Sequence, residues 1–539
     1  MRAHPRFVAL LGGATALLLT QVAPSGAAAG SSDPATVTGV LVAQVADDFA
    51  RDRSATELAV RRDGDGRAVP LVGLGRDDVA ALVGRRVRAR GTTAAGGAIR
   101  AKGSGVAAAG PSGSASASPD PIEQAAATTA GPTGPRSVKV LAVAIRFADD
   151  PSAATPSTSG VSARLFSGSS SVKGYYADVS DGLWTVSGKV VGPYTVSRPA
   201  GGGCTSADYY SWANAAVQAA ADRGVDTGAY THYMVVLPPG SVSCVWAGLG
   251  QVPGNVTWVN ESTPSVYVMA HELGHNFGEG HASTYRCTVD GTKVALGRPS
   301  QCAKVSEYGD PFSVMGGTVR LHHATARHHY LLIAPRTLSP GEARTVRLAP
   351  ADSTSGVREL RVDRGDGTWL SVEYRRPTGV FDTFAGNDPV VTGVTVRVDN
   401  GAGVATYLVD SRPSTTSATD APLQVGGSIV DPLTGSRITL LRADPSGASV
   451  SVTSGTAVTG LAVGHVGATV TAWWQPPAGV TVAGYDVAVD HGTPERVVAT
   501  RWSGPVTAGW HTVSVRAVAA DGTRYPWSSA SVLARGAVG

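Results

Sequence analysis

His271, His275 and His281 are spaced by four and then six residues in the segment His271-Glu272-Leu273-Gly274-His275-Asn276-Phe277-Gly278-Glu279-Gly280-His281. On an α-helix, residues four apart share nearly one face and lie about 6 Å apart along the axis, so His271 and His275 can grip one ion. Glu272 flanks that pair without sharing its direction, which suits a base holding water near a metal and not a ligand. Gly278 can adopt a positive φ, end the helix and swing the chain back to deliver His281 as a third ligand. Three imidazoles at about 2.0–2.1 Å leave the fourth position of a tetrahedral Zn2+ open to water, the arrangement of a catalytic site. One catalytic zinc ion is expected.

Downstream, Glu307-Tyr308-Gly309-Asp310-Pro311-Phe312-Ser313-Val314-Met315-Gly316-Gly317 supplies a tight turn around a methionine, and Met315 could form an apolar floor beneath the ligands. The three histidines followed by such a methionine turn complete the pattern of the metzincin clan of zinc endopeptidases. In detail, His-Glu-Leu-Gly-His-Asn-Phe-Gly, the later Tyr-Gly-Asp and the Met-Gly turn make Ser137 to Pro335 similar to the gametolysin family of that clan. The resemblance implies zinc ligands His271, His275 and His281, general base Glu272, and a Met-turn at Met315. Some metzincins carry a tyrosine ligand two residues past this methionine; here that place is Gly317, which leaves the group stabilising the oxyanion unassigned. The expected chemistry is hydrolysis by metal-activated water, with Glu272 taking the proton and passing it to the leaving amine. The rival is a secreted adhesion or carbohydrate-binding protein with a vestigial protease domain. A pure binder has no need of Glu272 beside three ligands, so its presence favours catalysis.

The elements that must position these groups are legible as patterns. Val138 to Phe147 is a nearly continuous apolar run, as in a buried central strand. Ala207 to Arg223 places Tyr210, Ala213, Val217 and Ala220 at helical spacing before Gly224. Tyr233 to Leu237 is a second strand ended by Pro238, and Val256 to Asn260 a shorter one before the metal motif. Strand, helix, strand and site helix predict an α/β (α+β) catalytic domain in which the helix lies against a twisted sheet.

A chain of 539 residues with 42% apolar and 16% charged residues, 67 Gly and 33 Pro is expected to be multidomain and rich in β structure. Residues 1–29 have the basic start, apolar core and small-residue end of a signal peptide, so the mature protein is expected to be secreted and extracellular. No later segment reaches the roughly 18 consecutive apolar residues of a membrane span. Residues 30–106 alternate short apolar runs with polar turns, and 107–135 form a linker of Ala, Gly, Ser, Thr and Pro. A small β-rich module between signal and protease, on a cleavable tether, suggests a propeptide covering the active site. No cysteine precedes Cys204, so a zinc-bound thiol cannot close that site and an acidic side chain would have to.

The catalytic domain is expected over 136–335, a β-rich domain over 336–455, and a second all-β sandwich over 456–539. The last resembles a fibronectin type III domain through Trp473 or Trp474 before Pro476-Pro477, Tyr485-Asp486-Val487 and Val513 to Ala517 before the Asp521-Gly522 turn. His511 stands where such domains usually carry a corner tyrosine. Partners are a protein or glycoprotein substrate and a matrix or cell-wall surface for the C-terminal domains. The net charge of +4, without a basic run, offers no footprint for nucleic acid.

Cys204, Cys244, Cys287 and Cys302 are an even set in a chain bound for an oxidising compartment, and sequence neighbourhood favours 204 with 244 and 287 with 302. His322, His323, His328 and His329 lack an accompanying carboxylate cluster, which favours packing or exposed histidines over a second metal site. Arg364-Gly365-Asp366 fits a hairpin turn better than an adhesion motif. Asn255 and Asn260 match glycosylation patterns and remain unassigned.

Overall fold

The computed structural model describes residues 33–109 and 136–534, except 65–67, 76–78, 80–81, 95–96, 199–202, 319, 321–322, 331, 341, 400–404, 454–456, 478–480 and 521. The expected signal peptide, nearly all of the linker, and His322 lie outside the described residues. The chain is multidomain and dominated by β-sheet.

Six strands fall in the N-terminal module: β1 (Pro34–Asp48), β2 (Arg53–Arg62), β3 (Ala68–Val72), β4 (Arg86–Thr93), β5 (Ile99–Arg100) and β6 (Val106–Ala108). Five follow: β7 (Arg136–Phe147), β8 (Trp184–Val196), β9 (His232–Val236), β10 (Gly248–Gln251) and β11 (Val256–Val259). All eleven form one sheet in the order β6-β4-β5-β3-β2-β1-β10-β11-β9-β7-β8. The 15-residue β1 makes this continuity possible. Along one edge it pairs with β2; along the other its first half, 34–40, pairs with β4 and its second half, Gln44 to Asp47, pairs antiparallel with Gln251 to Gly248 of β10. The N-terminal module is thus docked by strand addition onto an edge of the following domain.

Strand β7 explains how the second half of this sheet is held. Val138, Val140, Ala142 and Ala144 point into one core, and Leu141, Val143 and Ile145 into the opposite one. A strand buried on both faces has no room for a polar face, which is why its sequence is a continuous apolar run. The first core packs against helices α1 (Thr158–Phe166), α2 (Val172–Val179) and α4 (Val266–Asn276); the second packs against α3 (Ser206–Ala221). Helix α3 opens on a capping box between Thr205 and Asp208. The sequence patterns located β7, α3, β9, β11 and the site helix, but not α1, α2, β8 or β10. The two missed helices are short, and β10 is Gly-Leu-Gly-Gln, a strand with little β propensity of its own.

A second sheet has nine strands. Ala282–Val289, Thr292–Val294 and Cys302–Ser306, which follow the metal motif directly, join Arg336–Leu338, Leu360–Asp363, Trp369–Glu373, Gly393–Asp399, Thr406–Val409 and Leu423–Gln424. The link is parallel pairing of Ala282 to Tyr285 with Thr406 to Val409. A four-stranded sheet, including Arg344–Leu348 and Arg437–Asp444, covers it across a shared apolar core. Residues 459–534 form a separate sandwich of three and four strands. There Trp474 is the buried tryptophan, edge-on to Tyr485 at 5.2 Å, while Trp473 is exposed. His511 reaches Thr507 O at 2.9 Å with Nε2 and Asp490 Oδ2 at 2.6 Å with Nδ1, so an imidazole makes the backbone contact at this corner.

Both disulfides join sequence neighbours, Cys204 to Cys244 and Cys287 to Cys302. Arg364 is buried and ion-paired with Asp431 at 3.1 Å, while Gly365 and Gly367 take positive φ. The Arg-Gly-Asp segment is a turn whose arginine faces inward. Asn255 is fully buried. His323 is buried, accepts from Ala326 N and meets Thr406 Oγ1 at 3.1 Å. No helix among the described residues is long and apolar enough to cross a membrane.

Candidate metal centre

Helix α4 begins where the Ser265 hydroxyl accepts from Val268 N and ends at Phe277, after which Gly278 takes φ +101°. That glycine reverses the chain and lets His281 face the helix. His271, His275 and His281 then point at one spot, with Nε2 to Nε2 distances of 3.2 Å for both 271 to 275 and 275 to 281. Two nitrogens bound tetrahedrally at 2.0–2.1 Å would be about 3.3 Å apart.

The outer nitrogens fix which face of each ring is bare. His271 Nδ1 lies 2.8 Å from Val314 O, His275 Nδ1 2.8 Å from Glu279 O, and His281 Nδ1 2.6 Å from Glu307 Oε1. Each of these partners is an acceptor, so each Nδ1 carries the proton and directs the Nε2 lone pair inward. Three Nε2 atoms converging this closely leave a point where a cation would be held. Met315 is buried in the core that α4 packs on, and its carbonyl accepts from Ala282 N, pinning the residue after His281.

The fourth group comes from 224 residues upstream of His271. Asp47, on β1, is fully buried, with Oδ2 3.1 Å from His275 Nε2 and 3.6 Å from His271 Nε2, and Oδ1 2.9 Å from His281 Nε2. Asp47, His271, His275 and His281 form the one group of three or more His, Cys, Asp or Glu among the described residues able to hold a metal ion. Burial alone would raise the Asp47 pKa, but His281 and His275 outweigh it and hold it well below the usual range. Burial likewise opposes protonation of His281, yet Asp47 and Glu307 raise its pKa to about 9, whereas burial holds those of His271 and His275 below the ordinary value. The donor set of three imidazoles and a carboxylate, buried and geometrically convergent, fits a metal ion.

Glu272 is buried beside the cluster, and neither carboxylate oxygen has a hydrogen-bond partner among the described residues. Burial first, and the adjacent Asp47 second, push its pKa well up. Its space exists because β10 alternates glycines: a Cβ on Gly248 would lie 1.9 Å from Glu272 Oε1, and one on Gly250 3.0 Å from Oε2. Tyr308 closes another side. Its ring stands 4.8 Å from that of His281, and its hydroxyl donates to Asp47 Oδ1 at 2.8 Å.

The structure therefore brings together His271, Glu272, His275 and His281, with Met315 in the adjoining core, while the four cysteines lie in disulfides. Asp47, Tyr308 and Glu307 were not singled out by sequence. For Asp47 the only signal was the need for an acidic closure in a module without cysteine, and nothing in the pattern separated Asp47 from its acidic neighbours.

Residues 152–362 match the gametolysin peptidase M11 family. The matched family is one of peptidases, and the matched stretch includes His271, His275 and His281. No curated protein matches the chain. Among solved structures the chain is similar to the Clostridium perfringens spore cortex lytic enzyme SleM at 15% identity, over 18% of this chain and 35% of that one, with a TM-score of 0.14. The chain thus spans about a third of SleM. It is also similar to the PKD1 domain of Vibrio anguillarum Epp at 15% identity (15% of this chain, 98% of that one, TM-score 0.14) and to the chicken CNTN1 FN1-FN3 domains at 12% identity (40% and 70%, TM-score 0.14).

Proposed function

We propose that the chain is a secreted, zinc-dependent metalloendopeptidase of the metzincin type, made as a latent precursor and acting on extracellular proteins. The observation that carries the reading is the convergence of three imidazole Nε2 atoms, each ring oriented by an acceptor on Nδ1, beside a buried carboxylate on the same helix. Zinc is the metal this donor set favours. When bound, it supplies Lewis acidity that polarises a carbonyl and lowers the pKa of water. Glu272 takes the water's proton and delivers it to the amine nitrogen as the C–N bond breaks. His271, His275 and His281 hold the centre; the Met315 turn keeps Val314 O and Ala282 in register with them.

Latency rests on β1. Its Gln44 to Asp47 segment occupies the free edge of β10, Asp47 fills the position a water would take, and Phe49, just beyond, packs on Tyr267, His271 and Tyr308 with ring centroids at 5.0, 5.0 and 4.6 Å. Glu57 anchors the module further by accepting from Ser206 N at 2.9 Å and from its hydroxyl. Residues 30–106 thus act as the propeptide, with a carboxylate doing what a thiol does elsewhere, and cleavage within 107–135 frees the strand to leave. The C-terminal sandwich, with exposed Trp473 and Trp510, presents aromatic surface for a matrix or cell-wall polymer.

The test is hydrolysis of casein or gelatin by the linker-cleaved protein, abolished by a chelator and restored by zinc. Glu272→Gln should keep one zinc per chain and lose about 10²- to 10⁴-fold in rate. Full activity in that variant would overturn the assignment.

A further inference from the structure

The tetrahedral adduct of a peptide carbonyl and water carries two oxygens on one carbon, the same O–C–O unit as a carboxylate. In this structure a carboxylate of that shape already lies on the metal-facing side of the cluster. Asp47 Oδ2 approaches His271 and His275, while Oδ1 lies 2.9 Å from His281 Nε2 and accepts the Tyr308 hydroxyl at 2.8 Å. One of the two oxygen positions is therefore served by a protein O–H, and the carboxylate of Glu272 is buried on the helix beside the cluster.

Tyr308 is held from two sides: the N-terminal module touches it through Asp52, which accepts from Tyr308 N at 3.0 Å, through Arg53 O, 3.1 Å from its hydroxyl, and through the Phe49 ring, while other contacts fix it from the side of the histidines. The preceding Glu307 accepts from His281 Nδ1 at 2.6 Å through its side chain and from the Ser283 hydroxyl at 2.8 Å through its carbonyl. Two residues on, Asp310 N donates to Ala282 O at 3.1 Å, and its carboxylate accepts from Arg397 at 2.7 Å in a fully buried ion pair. Gly309 has no room for a side chain, since a Cβ there would lie 2.4 Å from Thr284 Oγ1. Residues 307–310 are thus clamped to the strand that continues from His281, and the tyrosine ring is stacked edge-on against that histidine.

We infer that Tyr308 is a catalytic residue that donates its hydroxyl to the oxyanion formed from the scissile carbonyl, an inference that rests on the metallopeptidase reading. As the water oxygen bonds to carbon, the C=O π electrons move to the carbonyl oxygen, and the Tyr308 O–H stabilises the charge there. Glu272 holds the water's proton until the amine nitrogen receives it and the C–N bond breaks. No oxidant or further co-reactant is needed. The phenol takes the role left open by Gly317.

The test compares wild-type and Tyr308→Phe proteins, both produced as the full chain, zinc-loaded, then cut in the linker and freed of the module. Phenylalanine keeps the ring packing, so zinc content and thermal unfolding should match wild type. The kcat should fall about 10²- to 10³-fold, as when one oxyanion donor is lost, with KM changed by less than about threefold. A phosphinic peptide, which presents two oxygens on a tetrahedral centre, should bind more weakly by a similar factor in calorimetry, and Tyr308→His, which restores a donor, should recover part of both losses. Unchanged kcat and unchanged phosphinate binding in Tyr308→Phe would overturn the inference and leave the tyrosine as a contact of the module alone. A wild-type protein that hydrolyses no peptide would instead overturn the metallopeptidase reading.

Discussion

Helix α4 and strand β1 both deliver charged or ligating side chains to the same point, yet they do so by opposite means. The helix places His271, Glu272 and His275 by local periodicity, and Gly278 turns His281 into line within six residues. The strand brings Asp47 across more than 200 residues, through four antiparallel pairs with β10. What is local in sequence makes the permanent machinery; what arrives through sheet pairing is separable from it. The helix motif is built within one short stretch of chain, whereas the proposed activation requires the strand on the edge of β10 to leave once its tether is cut. The proposed latent form rests on that contrast.

The largest effect expected from disturbing the permanent side is at β10, where the two regions meet. Gly248→Val puts side-chain atoms where Glu272 Oε1 now lies, and it should lower the activity of the linker-cleaved protein by about the factor lost with Glu272 itself, 10²- to 10⁴-fold, while zinc remains bound. Normal activity in that variant would show that Glu272 is not held against β10. A smaller but still large effect is expected from the brace behind Tyr308. Arg397→Met leaves Asp310 buried without its 2.7 Å partner and should reduce unfolding stability in urea by about 3–5 kcal/mol. A change under about 1 kcal/mol would mean that the second sheet does not support the site. The smallest effect lies far from the metal. Pairing with Asp490 and Thr507 O raises the His511 pKa, so its contribution to stability is complete below the unfolded value near 6.5 and is lost as pH rises through the folded value. An NMR titration of His511 should give a midpoint above 6.5; one below it would remove that corner contact from the account.

The same contrast decides what could be read from the sequence. The His-Glu-x-x-His helix, the positive φ of Gly278 and the position of Met315 were legible because their chemistry depends on spacing within a few turns. The buried strand β7 was legible because both of its faces are apolar. Strand β10 was not, since its glycines serve the packing of Glu272 and carry no strand signal. Nor was the joining of Ala282–Val289 to Thr406–Val409, because parallel pairing over 120 residues leaves no local trace. The need for an acidic closure followed from the absence of cysteine before Cys204, but the choice of Asp47 depended on a register, and a shift of one residue would have turned its side chain away.

The most direct measurement is peptide hydrolysis by intact, zinc-loaded precursors that differ only at position 47. The account predicts that the wild-type precursor is silent until its linker is cut, and that uncut Asp47→Ala hydrolyses peptide at a substantial fraction of the cleaved enzyme's rate. An uncut Asp47→Ala precursor as silent as wild type, beside an active linker-cleaved wild type, would contradict it.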